Sequence, residues 1–118
     1  MTTTDGSSHD DNEVFLRGRL SADPLLRTLP SGAELCTFRL VVPRPEGERV
    51  RVDSIDCATT NARVRRTLTS CSAGDELEVC GSLHRRFWRG AAGPASRYEV
   101  TVSAVKARRA IRRPRTDA

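Results

Sequence analysis

The residues best suited to chemistry are concentrated in one stretch, His84-Arg85-Arg86-Phe87-Trp88-Arg89-Gly90. It holds the only tryptophan of the chain and places a phenylalanine beside it, although all 118 residues include just one Trp, one Tyr and three Phe. Aromatic rings stack on flat heteroaromatic groups, and guanidinium groups donate to anionic oxygens. Interleaved on one segment, they fit a ligand that is both flat and anionic, as a nucleic-acid strand is. Period-two alternation sorts them. Leu77, Val79, Gly81 and Leu83 share one parity, on which Phe87 also falls, while His84, Arg86 and Trp88 take the other. The pattern predicts Phe87 as a cap on the core and Trp88 as an outward stacking platform beside Arg86. The competing reading packs Trp88 under the 89–97 segment or in a subunit contact, with Arg85, Arg86 and Arg89 as a solvated rim.

Other cations extend this pattern. Arg17 and Arg19 lie on the non-core parity of a first strand, where they line a nucleic-acid path, a subunit contact or plain solvent. Arg39 and Arg51 are expected on one binding face of the second and third strands, in contact with phosphates. Arg63, Arg65 and Arg66 read as the solvent face of a helix. Charge is uneven: Asp5, Asp10, Asp11 and Glu13 open the chain without a basic residue, and beyond them 20 basic residues face 11 acidic ones. A domain so basic draws polyanions. Six Arg or Lys residues crowd Lys106–Arg115, a density that predicts a polyanion-binding arm.

Several chemistries are excluded. The four cysteines at 36, 57, 71 and 80 form no CxxC pair, and His9 and His84 are the only histidines, so no zinc site is expected. Cys36, Cys57 and Cys80 lie in apolar runs and read as buried, reduced thiols. His84 stands without a nucleophile or carboxylate in a catalytic arrangement, so neither enzyme activity nor a cofactor nor a small-molecule substrate is expected. No apolar run reaches the roughly 18 to 20 residues of a membrane span. The start, MTTTDGSSHDDNE, lacks the basic and apolar regions of a secretory signal, which predicts a cytoplasmic protein.

These side chains need a scaffold, and the pattern supplies one. Residues 1–12 are polar and acidic with nothing to bury, and are expected to be disordered; 13–108 form one domain; 109–118 are a basic tail. "EVFLRGRLS" alternates with Val14, Leu16, Gly18 and Leu20 on one face, and "AELCTFRLVV" with Cys36, Phe38, Leu40 and Val42. Pro24 and Pro30-Ser31-Gly32 mark turns between them, and Pro43 to Gly47 a loop. "RVRVDSIDCATT" is a third strand. A short helix follows, with Asn61 as N-cap and Gly74 as its C′ glycine. "DELEVCGSLHRRFW" and "RYEVTVSAVKA" are the last two strands, separated by a Gly/Pro loop. The order β-β-β-α-β-β predicts an all-β protein: a five-stranded antiparallel OB-fold barrel with one short helix between strands 3 and 4.

The residues also resemble a known family. Gly18-Arg19-Leu20, Asp23-Pro24-Leu25-Leu26-Arg27 and Pro30-Ser31-Gly32 resemble the opening of bacterial single-stranded-DNA-binding proteins. The likeness continues through Thr37–Leu40, Gly74–Trp88 and Arg97–Val102, and spans 13–108. It implies sequence-independent binding and protection of single-stranded DNA in replication, recombination or repair, by a homo-oligomer, a tetramer by family habit. Two departures stand out. The family stacks bases on several rings, some on strand 3 and its exit, whereas Arg51–Thr60 holds none and Thr60 stands where an aromatic is expected. The family also ends in a flexible linker and an acidic tip with a terminal phenylalanine, where this chain reads "RRPRTDA". The missing rings sustain a rival reading, an OB-fold adaptor for a protein or structured RNA.

Overall fold

The alternation in the first strand is the alternation of a barrel wall. In a computed structural model that describes residues 10–46 and 49–108, β1 (Val14–Leu20) turns Val14, Leu16, Gly18 and Leu20 inward and leaves Phe15, Arg17 and Arg19 exposed. Most of β1 pairs with β5 (Glu76–Gly90), from Val14 opposite Gly81 to Arg19 opposite Glu76. Its last residues, Arg19 and Leu20, also pair with β3 (Glu34–Glu46). Gly18 sits at this handover, where a Cβ would strike the Val41 carbonyl oxygen, so only glycine lets the strand bend across.

Five strands, β1, β3, β4 (Arg49–Thr59), β5 and β6 (Gly93–Arg108), close the barrel, in the order β1-β5-β6-β4-β3 with β1 returning to β3. A sixth, β2 (Leu25–Thr28), is appended to β3 in the segment expected to be a turn. All four of its residues are exposed, so no buried face marks it in the sequence; its backbone pairing alone makes it a strand. With β2 counted, α1 (Ala62–Thr69) lies between β4 and β5, the same chain segments that the sequence pattern placed on either side of it. One pairing departs from the antiparallel expectation: β4 and β6 run parallel where Cys57 meets Val100 and Ala58 meets Thr101, so the barrel is mixed.

Two expected loops are strands. Pro43 and Pro45 continue β3, opposite Val52 and Val50. They share a parity, so their missing N–H groups face one edge of the ribbon, and among the described residues β3 pairs only with β4 beyond Val41. The 89–97 loop is the tip of a β5–β6 hairpin, which turns at Ala91-Ala92 and resumes at Gly93, whose φ of 118° suits glycine.

The helix is shorter than its sequence pattern. Asn61 caps it as expected, its Oδ1 accepting from the Val64 N–H at 3.0 Å. It ends at Thr69, where the Ser70 hydroxyl donates to the Thr67 carbonyl at 2.8 Å. Gly74 is therefore not its C′ residue. With φ of 94° it forms the turn into β5, its N–H donating to the Leu20 carbonyl at 2.9 Å. Val64 and Leu68 pack with Leu40, Leu77, Val79, Val100 and Val102 in the core. Cys36, Cys57 and Cys71 are buried with them, but Cys80 is exposed, opposite Phe15 on the outward parity of β5, and corrects the expectation of a buried thiol there.

Asn12, in the segment expected to lack packing, bonds both backbone groups of Leu83: its amide nitrogen donates to the carbonyl and its amide oxygen accepts from the N–H, each at 2.8 Å. Residues 1–9 and the basic tail at 109–118 lie outside the described residues.

Candidate nucleic-acid interface

The β5–β6 hairpin carries the aromatic stretch past the end of the barrel. Leu77 and Val79 are fully buried, whereas Leu83 and Phe87, on the same parity, are 43% and 74% exposed. A register irregularity at Cys80/Gly81 leaves β5 alternation intact, because Ser103 of β6 takes up the extra residue between Val102 and Ala104. Phe87 therefore points as its parity requires, yet caps nothing. Val100, opposite Leu83, is the last buried residue on that side, and beyond it the ribbon stands in solvent.

Trp88 has the predicted parity and lies on the face opposite Phe87, about half exposed. Across the ribbon, Arg86 is opposite Arg97 and His84 opposite Glu99, so these share its face. The Arg97 guanidinium carbon lies 5.8 Å from the Trp88 ring centroid. Its nitrogens also reach Asp56 at 3.8 Å and Glu99 at 3.9 Å. Arg86 pairs with Glu99 at 3.0 Å, and Arg39 with Asp56 at 3.1 Å. Glu99 is buried, a carboxylate sustained by two guanidinium groups. Beneath this network is a cavity of about 590 Å³ with Leu25 and Leu26 of β2 on one side and Arg39, Asp56, Arg97 and Glu99 on the other. Arg97 both lines this cavity and covers the Trp88 ring, so it links the two, and the arginines around them are already paired with carboxylates.

The other face of the hairpin has a different balance. The Arg85 guanidinium carbon is 5.4 Å from the centroids of both Phe87 and Tyr98, and Arg85 donates to the Ser96 hydroxyl at 3.0 and 3.1 Å. Arg89, on the same parity, is exposed beside the turn.

The remaining predicted residues do not all converge here. Arg39 lines the cavity, but Arg51 is not on its face: in an unbroken β3–β4 register Arg39 is opposite Asp56 and Arg51 opposite Arg44, and the alternation sets the two on opposite sides of the ribbon. Arg17 pairs with Glu78 at 2.8 Å on the outer face of β1 and β5, apart from the cavity. Arg63 and Arg66 are exposed as expected, whereas Arg65 is partly buried and bonds Glu34 at 3.1 Å, so it anchors the helix rather than facing solvent. His84 bonds the Ser82 hydroxyl at 2.8 Å. The sequence reading missed Arg97, Asp56, Glu99 and the two leucines of β2. The signal for Arg97 and Glu99 was available in "RYEVTV", where they alternate against Tyr98 and Val100. Burial at the cavity wall, with the Asp56 and Glu99 charges adding to it, pushes the Cys57 thiol up to about 12.

Comparison with known proteins agrees with this architecture. Residues 11–109 match the Single-strand binding protein family. The chain is 36% identical over 86 residues to Single-stranded DNA-binding protein A of Bacillus subtilis, covering 70% of this chain and 49% of that one. It is 32% identical over 110 residues to a Single-stranded DNA-binding protein of Thermus thermophilus, covering 87% and 39%. The chain thus spans about half the length, or less, of these curated relatives. Among solved structures, a Plasmodium falciparum SSB in complex with ssDNA superposes with a TM-score of 0.74 over 89% of this chain and 99% of that one, at 19% identity, which speaks to the fold.

Proposed function

The chain belongs to the Single-strand binding protein family, and we propose that it binds single-stranded DNA without sequence preference, protecting it during replication, recombination or repair. Bases stack on Trp88 while phosphates exchange onto Arg39, Arg86 and Arg97 and, near the tip, Arg89. The observation that supports this most directly is the half-exposed indole, set against Arg97 at 5.8 Å, an arginine that itself lines the cavity beside Leu25 and Leu26. One indole and no ring on β4 imply weaker binding than a face with several platforms gives. Ion pairing adds to this, because Arg39, Arg86 and Arg97 must leave Asp56 or Glu99 to meet a phosphate.

We further propose a homo-oligomer, a tetramer. Two features support association: among the described residues Val14–Arg17 have a strand partner on one side only, and Phe15, 59% exposed, forms an apolar spot with Cys80 opposite it. No helix among the described residues is long and apolar enough to cross a membrane. None of their His, Cys, Asp and Glu side chains group in a way that could hold a metal ion.

Titration of labelled oligo(dT) against duplex of equal length, at low and physiological salt, tests the reading, with light scattering for the oligomer. Preference for the single strand, with affinity falling steeply as salt rises, is the expected result. Equal affinity for both forms, or none for either, would favour the rival reading, an OB-fold adaptor for a protein or structured RNA.

A further inference from the structure

The hairpin carries a second pair of rings and a cation, Arg85, which the proposed binding face does not use. Phe87 and Tyr98 are 74% and 59% exposed and share a face with Arg85, on the side of the ribbon away from Trp88. Leu83, 43% exposed, continues that face toward the barrel. Three exposed apolar or aromatic side chains on neighbouring positions of a two-stranded ribbon leave water poorly accommodated, and no element of the described chain packs over them.

The electrostatics distinguish the two faces. Arg39, Arg86 and Arg97, around the Trp88 face, are each paired with Asp56 or Glu99. Among the described residues no carboxylate lies within ion-pair distance of Arg85 or Arg89. Arg85 is oriented instead by the neutral Ser96 hydroxyl and by the two rings it covers. Its charge is thus held in place and left unneutralised, and Phe87 keeps most of its surface open. Rings beside a fixed cation, without a nearby acid, suit a ligand that presents flat bases and phosphates together.

We propose that Arg85, Phe87 and Tyr98 form a second single-strand platform, so that the hairpin is inserted between two stretches of single-stranded nucleic acid, one on each face. The proposal rests on the reading above and adds a second site for the same ligand. Phe87 and Trp88 are consecutive and point to opposite sides, so a strand rounding the tip passes from one ring to the other.

Moving the indole tests this. In a Phe87→Trp/Trp88→Phe variant the only tryptophan reports on the second face, and both positions are solvent-exposed enough to accept the exchange. Long oligo(dT) is expected to quench it, as it is expected to quench Trp88 in the unmodified protein. In parallel, Phe87→Ser/Tyr98→Ser is expected to weaken binding of long oligo(dT) about tenfold or more while leaving Trp88 quenching by short oligomers unchanged. An indole at position 87 that does not respond while anisotropy shows the oligomer bound overturns the second platform and leaves the first standing. Altered subunit association in the serine variant, with DNA affinity unaltered, also overturns it, making the face a protein contact. If the unmodified protein binds no oligo(dT) at all, both readings fall together.

Discussion

Arg86 holds Glu99 across the hairpin at 3.0 Å, a half-exposed guanidinium on a carboxylate that is 3% exposed. The pair sets the electrostatics of the Trp88 face, because Arg97 leans on the same carboxylate. Glu99→Gln removes the charge and keeps a hydrogen-bond acceptor. It is expected to tighten oligo(dT) binding about fivefold, since a unit charge about 4 Å away in water is worth about 1 kcal/mol. The salt dependence should steepen as Arg86 and Arg97 become available to phosphates. Anisotropy titrations over a salt series measure both, and weaker binding by the variant would mean that Glu99 positions the arginines rather than neutralising them.

Trp88→Ala is expected to cost about 1–3 kcal/mol of single-strand affinity, the worth of one stacking platform. Its thermal midpoint should barely move. Phe87→Ala should also leave stability within about 0.5 kcal/mol, because a side chain 74% exposed has little burial to lose. Differential scanning of both variants decides the matter. A large stability loss in Phe87→Ala would place that ring in a subunit interface.

The Cys57 thiol provides a pH signature. Its value in the fold is about 12 against an ordinary 9.0, raised first by burial and then by the Asp56 and Glu99 charges. Below pH 9 both folded and unfolded chains keep the proton, and the contribution to stability is full. Between about 9 and 12 the unfolded chain ionises first, so stability falls by about 1.4 kcal/mol per pH unit from this group. Urea melts at about pH 8 and pH 10 should show a steeper loss for the unmodified chain than for Cys57→Ala. An alkylating reagent should spare Cys57 under native conditions and label it once urea unfolds the chain; labelling of Cys57 in the native protein would contradict the burial.

Gly18→Ala places a methyl group against the Val41 carbonyl where β1 passes from β5 to β3. Backbone must move at a barrel seam, and a loss of about 1–3 kcal/mol is expected, read from the denaturation midpoint. A neutral result would show that the two strands separate there without penalty.

What the sequence displayed, and what it hid, follows from the range of each interaction. Alternation made the inward faces of β1 and β3 readable, because burial imposes it residue by residue. Asn61 was readable as a cap because capping is local. Phe87 was misplaced because parity gives direction, not depth, and no local signal tells where the barrel ends and the ribbon continues. β2 was hidden because its strand character comes from pairing with residues 34–37 rather than from a buried face of its own. Arg39 and Arg51 were assigned to one side because the loop expected at Pro43 concealed the continuous register that separates them. The Arg86–Glu99 pair joins the two strands of a hairpin and the Arg97–Asp56 pair two strands remote in sequence, and no single-strand pattern reveals either.

The parallel contact between β4 and β6 has a consequence for how the molecule comes into being. Val14 finds its partner only when Gly81 is present, and Cys57 meets Val100 only when most of the chain is made. The β3–β4 and β5–β6 ribbons join neighbours in sequence and can zip locally, but the seams that close the cylinder must wait for remote segments, the loop-closure cost that slows folding. During synthesis β1 therefore emerges first and is paired late, with its alternating apolar face uncovered in the interval.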